Sequence, residues 1–336
     1  MNQFLRSLTP SQQVAALFLL VFGILVVVSI TAFLLSFRQD RGAHGDAWHE
    51  ELRNFRQLLA TSWVMVVVFW LAWAIGDVMA TVLFALIAFF ALREFISLSP
   101  TRRGDHRSLV LAFFVVLPVQ FWLVGTRHFD LFSVFIPVYV FLAIPLVSAV
   151  SGDTQRFLER NAKLQWGIMV CVFGMSHVPA LMLLQFPGRN YEGKQAFLVF
   201  FLVMVVQTCM LVQHLVTRKL RKPPSLPEVS QSFNWYPWAL GMAVGSIAGG
   251  VLSFITPFKP GQALGMAFVA CVAGSMGHLV MKALKRDRGV TAWGHRGLSV
   301  TGANGLLDRV DALCFAAPIF FHSVRWYFGV DAGVRP

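Results

Sequence analysis

The chain has 336 residues, 57% of them hydrophobic and 13% charged, with a mean hydropathy of +0.65. A soluble domain is about 25% charged, so these figures describe an integral membrane protein and exclude a disordered, collagenous or disulfide-stapled chain. The formal net charge of +12 does not follow from membrane residence, and its placement has to separate nucleic acid, anionic lipid, phosphorylated substrate and topology signal as causes.

At roughly 20 apolar residues per crossing, the pattern predicts an all-α, polytopic transmembrane helical bundle of about ten spans. They fall near residues 14–37, 59–75, 78–98, 109–125, 129–150, 164–186, 196–217, 236–256, 262–284 and 312–330. The first run is long and has no small-residue cleavage site, so it reads as a retained anchor rather than a signal peptide. The second and third are fused and are divided at Gly76-Asp77. Residues 1–75 then form N-terminal anchor spans, and 76–336 the main transmembrane domain. Alternate loops (38–58, 99–108, 151–163, 218–235 and 285–311) hold 19 Lys and Arg against 6 on the other side. By the positive-inside rule the charged loops are cytoplasmic and both termini lie outside. Nine spans would break that alternation.

The four cysteines, Cys171, Cys209, Cys271 and Cys314, sit inside apolar runs without C-x-x-C spacing, and read as small buried hydrophobes. His177, His278 and His322 show no zinc-ligand spacing, and His177 and His322 read as satisfied core groups. There is no G-x-S-x-G elbow and no Walker-type loop.

Chemistry concentrates in two late segments. In 275–311, Lys282, Lys285 and Arg286 fall at i, i+3 and i+4 and share one face of the ninth helix. Gly289, Gly294, Gly297, Gly302 and Gly305 follow, a loop whose backbone N–H groups can approach an anion closely. Asp308-Arg309-Val310-Asp311 then enters the last helix with two carboxylates three residues apart. Paired carboxylates beside a basic face suit a Mg²⁺–phosphate site, because Mg²⁺ takes hard oxygen ligands and the cations neutralise phosphate. Juxtamembrane topology charges with Asp–Arg pairs at a helix start would give the same spacing. In 207–235, Gln207, Thr208, Gln213 and His214 precede Arg218, Lys219, Arg221 and Lys222, and then two helix-stopping prolines.

The order of these features resembles the phosphatidate cytidylyltransferase (CDP-diacylglycerol synthase) family, whose C-terminal pattern runs S-x-x-K-R-x4-K-D and then H-G-G-x-x-D-R-x-D. Lys285-Arg286 match the K-R, and Asp308-Arg309-Val310-Asp311 match the D-R-x-D. The stretches ALREFISLSPTRRGDHR (91–107), GDTQRFLERNAKLQWG (152–167) and LCFAAPIFFHSVRWYF (313–328) are similar to a bacterial branch. The resemblance covers roughly 80–330 and implies an enzyme of the bacterial inner membrane that joins CTP to phosphatidate, releases pyrophosphate, and uses Mg²⁺ in a cytoplasm-facing site. It implies Asp308 and Asp311 as catalytic metal ligands, and Lys282, Lys285, Arg286, Arg309, Lys219 and Ser230 as contacts of substrate phosphates.

Several family positions are replaced. Lys282 stands in place of serine, Thr291-Ala292 in place of K-D, and Ala303-Asn304-Gly305 in place of H-G-G. His278 follows Gly277 where the family often has aspartate. The upstream S-D becomes Cys209-Met210, and S-P-x-K-T-W becomes Ser230-Gln231-Ser232-Phe233-Asn234-Trp235. Losing charge-stabilising groups at roughly 2.7–4 kcal/mol each slows phosphoryl transfer by powers of ten. The expectation is a family member with catalysis weakened or lost. The alternative is a non-catalytic protein that binds phosphatidate or another anionic lipid, as a homodimer or beside an active paralogue. Nucleic acid is not needed to explain the charge.

Overall fold

The computed structural model describes residues 74–98, 101–186, 191, 194–220, 223–230, 232–290, 293 and 305–329, with scattered helical residues between 12 and 70. Residues 1–80 and 81–336 form two compact units. In the first, Trp63 Nε1 donates to Ser29 Oγ at 2.9 Å and Trp63 packs on Phe22, so the two N-terminal apolar runs touch. The predicted spans 14–37 and 59–75 otherwise lie outside the described residues.

Among the described residues all regular structure is helical. Seven helices are long and apolar enough to cross a membrane: α1 Asp77–Ser97, α2 Arg103–Gly125, α3 Phe129–Val150, α4 Phe157–Met182, α5 Ala196–Leu220, α6 Trp235–Ile255 and α7 Pro260–Asp287. The last helix, α8, runs from Leu307 to Phe328. The seven fall on the third to ninth predicted spans, and α8 overlaps the tenth, starting five residues before the predicted 312. Gly76, at φ +109°, breaks the fused apolar block immediately before Asp77. The departures are at helix starts: α2 begins six residues before the predicted 109, and α4 seven before 164. Hydropathy ends a span at the first charges, whereas a helix continues wherever those charges find partners.

Arg160 is the partner here. Its side chain is 5% exposed; Nε donates to Asp105 Oδ1 at 2.8 Å, and Nη1 reaches Asp153 Oδ2 at 2.8 Å. Nη1 also bonds the Gln155 carbonyl at 2.7 Å. The start of α2, the 151–156 turn and the first turns of α4 are thereby tied to one guanidinium, which its planar fork of donors permits.

Inside the bundle the helices are irregular for identifiable reasons. Wide π-helical turns occupy Ala112–Val116, Phe135–Val140 and Ile168–Gly174. Each lies close to a proline (Pro118, Pro137 or Pro179), whose missing N–H and ring clash the wider turn accommodates. Gly174 lets α4 touch the backbone of α8: a Cβ there would stand 2.2 Å from the Cys314 carbonyl oxygen. One turn on, His177 is fully buried, its Nδ1 2.6 Å from the Phe173 oxygen and its Nε2 3.3 Å from that of His322. His177 is thus a satisfied core group, and its partner is the other histidine.

Breaking a buried ion pair by removing one partner costs about 3–5 kcal/mol. Arg160→Ala is therefore expected to lower the thermal midpoint of the purified protein markedly, and Arg160→Lys, which keeps charge but not the fork, to lower it less. Equal midpoints for all three proteins would contradict the clamp.

Candidate functional site

The end of α7 is set by Gly289, whose φ of +65° lets its N–H bond the Arg286 carbonyl at 3.0 Å while the Val290 N–H bonds that of Lys285. The helix stops one turn after its basic residues, which project at the start of α8. Lys285 Nζ lies 2.5 Å from Asp308 Oδ1. Asp308 Oδ2 accepts the Trp293 N–H at 2.9 Å. One turn into α8, Asp311 is 2% exposed; its Oδ2 accepts from His278 Nδ1 at 2.7 Å, and its Oδ1 lies 2.6 Å from the Ala312 nitrogen. His278 therefore holds its remaining proton, when neutral, on Nδ1.

The α5–α6 connection closes the other side. Asn234 caps α6 by accepting from the Tyr236 N–H, and its amide donates to the Pro223 carbonyl. The Ser225 N–H bonds the Phe233 carbonyl at 2.8 Å. Arg286 Nη1 then donates to the carbonyls of Pro227 at 2.5 Å and Glu228 at 2.9 Å. Lys282 Nζ donates to Ser232 Oγ at 3.3 Å. The two segments singled out from sequence, 207–235 and 275–311, are in direct contact.

The predicted site residues divide by partner. Lys282, Lys285 and Arg286 share a face, as their spacing required, but go to Ser232, Asp308 and backbone carbonyls respectively. Ser230 is buried behind Ser232, accepting the latter's N–H at 3.3 Å. Arg309 is exposed on the first turn of α8, and Lys219 is exposed on the last turn of α5; among the described residues no hydrogen bond joins Lys219 to the cluster. Gly294, Gly297 and Gly302 lie outside the described residues, as do Thr291-Ala292 and Ala303-Asn304. Phe233, where the family pattern has lysine, is buried against Trp235.

One residue that sequence reasoning missed is Glu94, on the last turn of α1. Its Oε1 accepts the Gly305 N–H at 2.5 Å, and its Oε2 accepts the Leu307 N–H at 2.8 Å. Two of the N–H groups that open α8 are thus bound by a carboxylate that also suits the positive end of the helix dipole. The next residue, Phe95, stacks on Trp293 with ring centroids 5.6 Å apart. The signal was available: an acid inside an apolar span is costly unless partnered.

This is a polytopic helical protein with an ionic cluster where its seventh helix ends and its last begins. The model of the cytidylyltransferase family matches residues 56–327, and the chain belongs to that family, whose members act on CTP and lipid substrates in membranes. It is also 31% identical over 278 residues to the uncharacterized protein YnbB of Escherichia coli (strain K12), covering 80% of this chain and 86% of that one.

The donor set bears on the family's Mg²⁺. Each of the four oxygens of Asp308 and Asp311 already lies against a nitrogen donor, with an ammonium and an imidazole standing where further hard oxygens would be needed. As arranged, it does not fit an octahedral oxygen shell without displacing those partners.

Charge-assisted bonds contribute about 1.5–3 kcal/mol each. Glu94→Ala is expected to speed amide hydrogen exchange at Gly305 and Leu307 and to lower the thermal midpoint, with Glu94→Gln intermediate. Unchanged exchange at both amides would refute the capping role.

Proposed function

We propose that this protein retains the family's recognition of an anionic lipid phosphate, with phosphatidate as the reference ligand, while transfer of CMP from CTP is weakened or lost. The observation that carries this reading is the occupation of both carboxylates: Asp308 by Lys285 and Asp311 by His278. Asp308 and Asp311 would serve as Mg²⁺ ligands only after those two groups gave way, and that displacement is the physical reason for slow turnover. Removal of even one charge-stabilising group costs about 10²–10³ in rate.

The phosphate-facing surface would be made of Lys282, Lys285 and Arg309, with Ser230 behind Ser232 at its margin. A phosphomonoester would replace Asp308 as the partner of Lys285, exchanging one ion pair for another. Arg286 acts on the α5–α6 loop and shapes the site rather than touching the ligand. In the membrane, the ten-span reading with both termini outside directs this cluster to the cytoplasm, where CTP is found.

The test is direct. Purified protein given CTP, Mg²⁺ and phosphatidate is expected to release pyrophosphate at or near background, while phosphatidate alone raises the thermal midpoint and Lys285→Ala removes that rise. Robust formation of CDP-diacylglycerol, abolished by Asp311→Asn, would overturn the weakened-enzyme reading. Absence of both turnover and the phosphatidate shift would leave a scaffold role beside an active paralogue.

A gain-of-function variant probes the cause. His278→Asp frees Asp311 from imidazole and supplies hard oxygens, so it is expected to make the thermal midpoint respond to Mg²⁺ and to raise pyrophosphate release by up to about 10²-fold. A variant that folds but shows neither response would mean that His278 is not what disables the site.

A further inference from the structure

Away from the ionic cluster, the end of α1 and the near ends of α2, α3 and α4 enclose a cavity of about 20 Å³, whose polar lining is Thr101, Asp105, Ser148, Arg160, Asn161 and Lys163. That is space for one hydroxyl or water, which takes about 10–15 Å³. Most of this lining is already matched. Asp105 accepts from Arg160 Nε at 2.8 Å and from the Arg102 N–H at 2.9 Å, and Ser148 Oγ lies 2.8 Å from Ser108 Oγ. Lys163 pairs with Glu159. Asn161 is the exception. It is 4% exposed, and its Nδ2 donates to the Phe157 carbonyl at 2.9 Å, but among the described residues nothing donates to its Oδ1. A buried acceptor without a donor is destabilising, so this cavity calls for an O–H or N–H group from a ligand.

A wider recess of about 530 Å³ adjoins the cavity, with Thr101 and Leu109 as shared walls and Arg102, Arg103 and His106 around it. Arg102 is steadied from the α3–α4 turn by Gln155 Oε1 at 2.5 Å and Asp153 Oδ2 at 3.9 Å, and its side chain is still 47% exposed. Arg103 is exposed, and no carboxylate of the described residues pairs with it. The recess is therefore net positive. Further along α2, Val110, Phe114 and Val115 are exposed on a helix long and apolar enough to cross a membrane. Basic recesses beside transmembrane helices are where anionic lipid headgroups settle. An apolar flank, a cationic recess and a hydroxyl-sized cavity correspond to the three parts of a phospholipid with a hydroxylated headgroup.

We infer that these two adjoining spaces bind an anionic phospholipid with a polyol headgroup. Its phosphodiester sits in the wider recess against Arg102 and Arg103, its acyl chains lie along the exposed apolar side chains of α2, and one headgroup hydroxyl enters the cavity and donates to Asn161 Oδ1. No covalent bond is made or broken. An ethanolamine headgroup is disfavoured, because its ammonium would stand among Arg102, Arg160 and Lys163. The site shares no residue with the cluster of Lys282, Lys285, Asp308 and Asp311, and stands or falls independently of the proposed function. Occupancy would tie the lipid to the same junction that the Arg160 clamp holds.

The experiment is a titration of the purified full-length protein in detergent with phosphatidylglycerol, read as the thermal midpoint, with phosphatidylethanolamine and free glycerol 3-phosphate as comparison ligands. Phosphatidylglycerol is expected to raise the midpoint, and the other two to leave it unchanged at the same concentration. Asn161→Leu removes the acceptor and fills the cavity, and should weaken the lipid's apparent affinity about three- to tenfold. Arg103→Gln, an exposed change that spares the fold, should weaken it by about tenfold or more. Lys285→Ala should leave the phosphatidylglycerol response intact, which separates this site from the other cluster. An undiminished response in Asn161→Leu would mean that the cavity holds only water, and an equal response to glycerol 3-phosphate would mean that no lipid is required. Either result, a response lost in Lys285→Ala but kept in Arg103→Gln, or no response in the parent protein would overturn the assignment.

Discussion

The bond between Glu94 and the opening of α8 is the contact on which the rest of this half of the molecule depends. A helix start leaves N–H groups without partners, and at the edge of a hydrocarbon layer water does not reliably supply them. Glu94 supplies two acceptors from α1, more than 200 residues away in sequence. Fixing the start of α8 fixes its rotation and depth. Asp308 then meets Lys285, Asp311 meets His278, and further along the same helix the Cys314 carbonyl reaches Gly174 and His322 reaches His177. The stacking of Phe95 on Trp293, whose N–H also holds Asp308, makes the same junction rigid.

Most of the fold was legible because hydropathy is a one-dimensional signal. An apolar run of span length has few soluble alternatives, so α1, α3 and α5–α7 appear where the sequence puts them. The starts of α2 and α4 were not legible, because Asp105 and Arg160 are 55 residues apart and only their pairing makes charged residues compatible with continued helix. The candidate site was legible to the same depth. Periodicity placed Lys282, Lys285 and Arg286 on one face, and the D-R-x-D spacing put two carboxylates at the start of a helix. Which cation meets which anion is a tertiary fact, and no spacing rule could tell that Arg286 turns to the carbonyls of 227 and 228 while Lys285 turns to Asp308.

On the proposed reading, that division of partners is how a site would keep its charge and lose its chemistry. Catalysis of nucleotidyl transfer needs oxygens free to hold metal and cations free to follow charge as it develops on phosphate. Here the oxygens face Lys285, His278 and backbone N–H groups, and one of the cations braces a loop. Each bond favours the resting fold and raises the energy of any state that needs the same atoms. On the same reading headgroup recognition would survive this better than turnover, because a phosphate would exchange places with Asp308 at Lys285 without assembling a metal shell.

The helix α7 shows how the bilayer sorts these groups by their cost of burial. Cys271, Ser275, His278, Lys282 and Lys285 follow one another at intervals of three or four, a single stripe that extends about 20 Å along the axis. At its deep end stands the Cys271 thiol, uncharged and soft, directed at the Val205 carbonyl of α5 at 3.7 Å. A hydroxyl that bonds its own helix comes next, then an imidazole held by a buried carboxylate. Full ammonium charges appear only in the last turns, beside partners and partial solvent. The order follows the rising penalty of removing each group from water. It also assigns each depth its chemistry, since hard anions find partners only at the charged end.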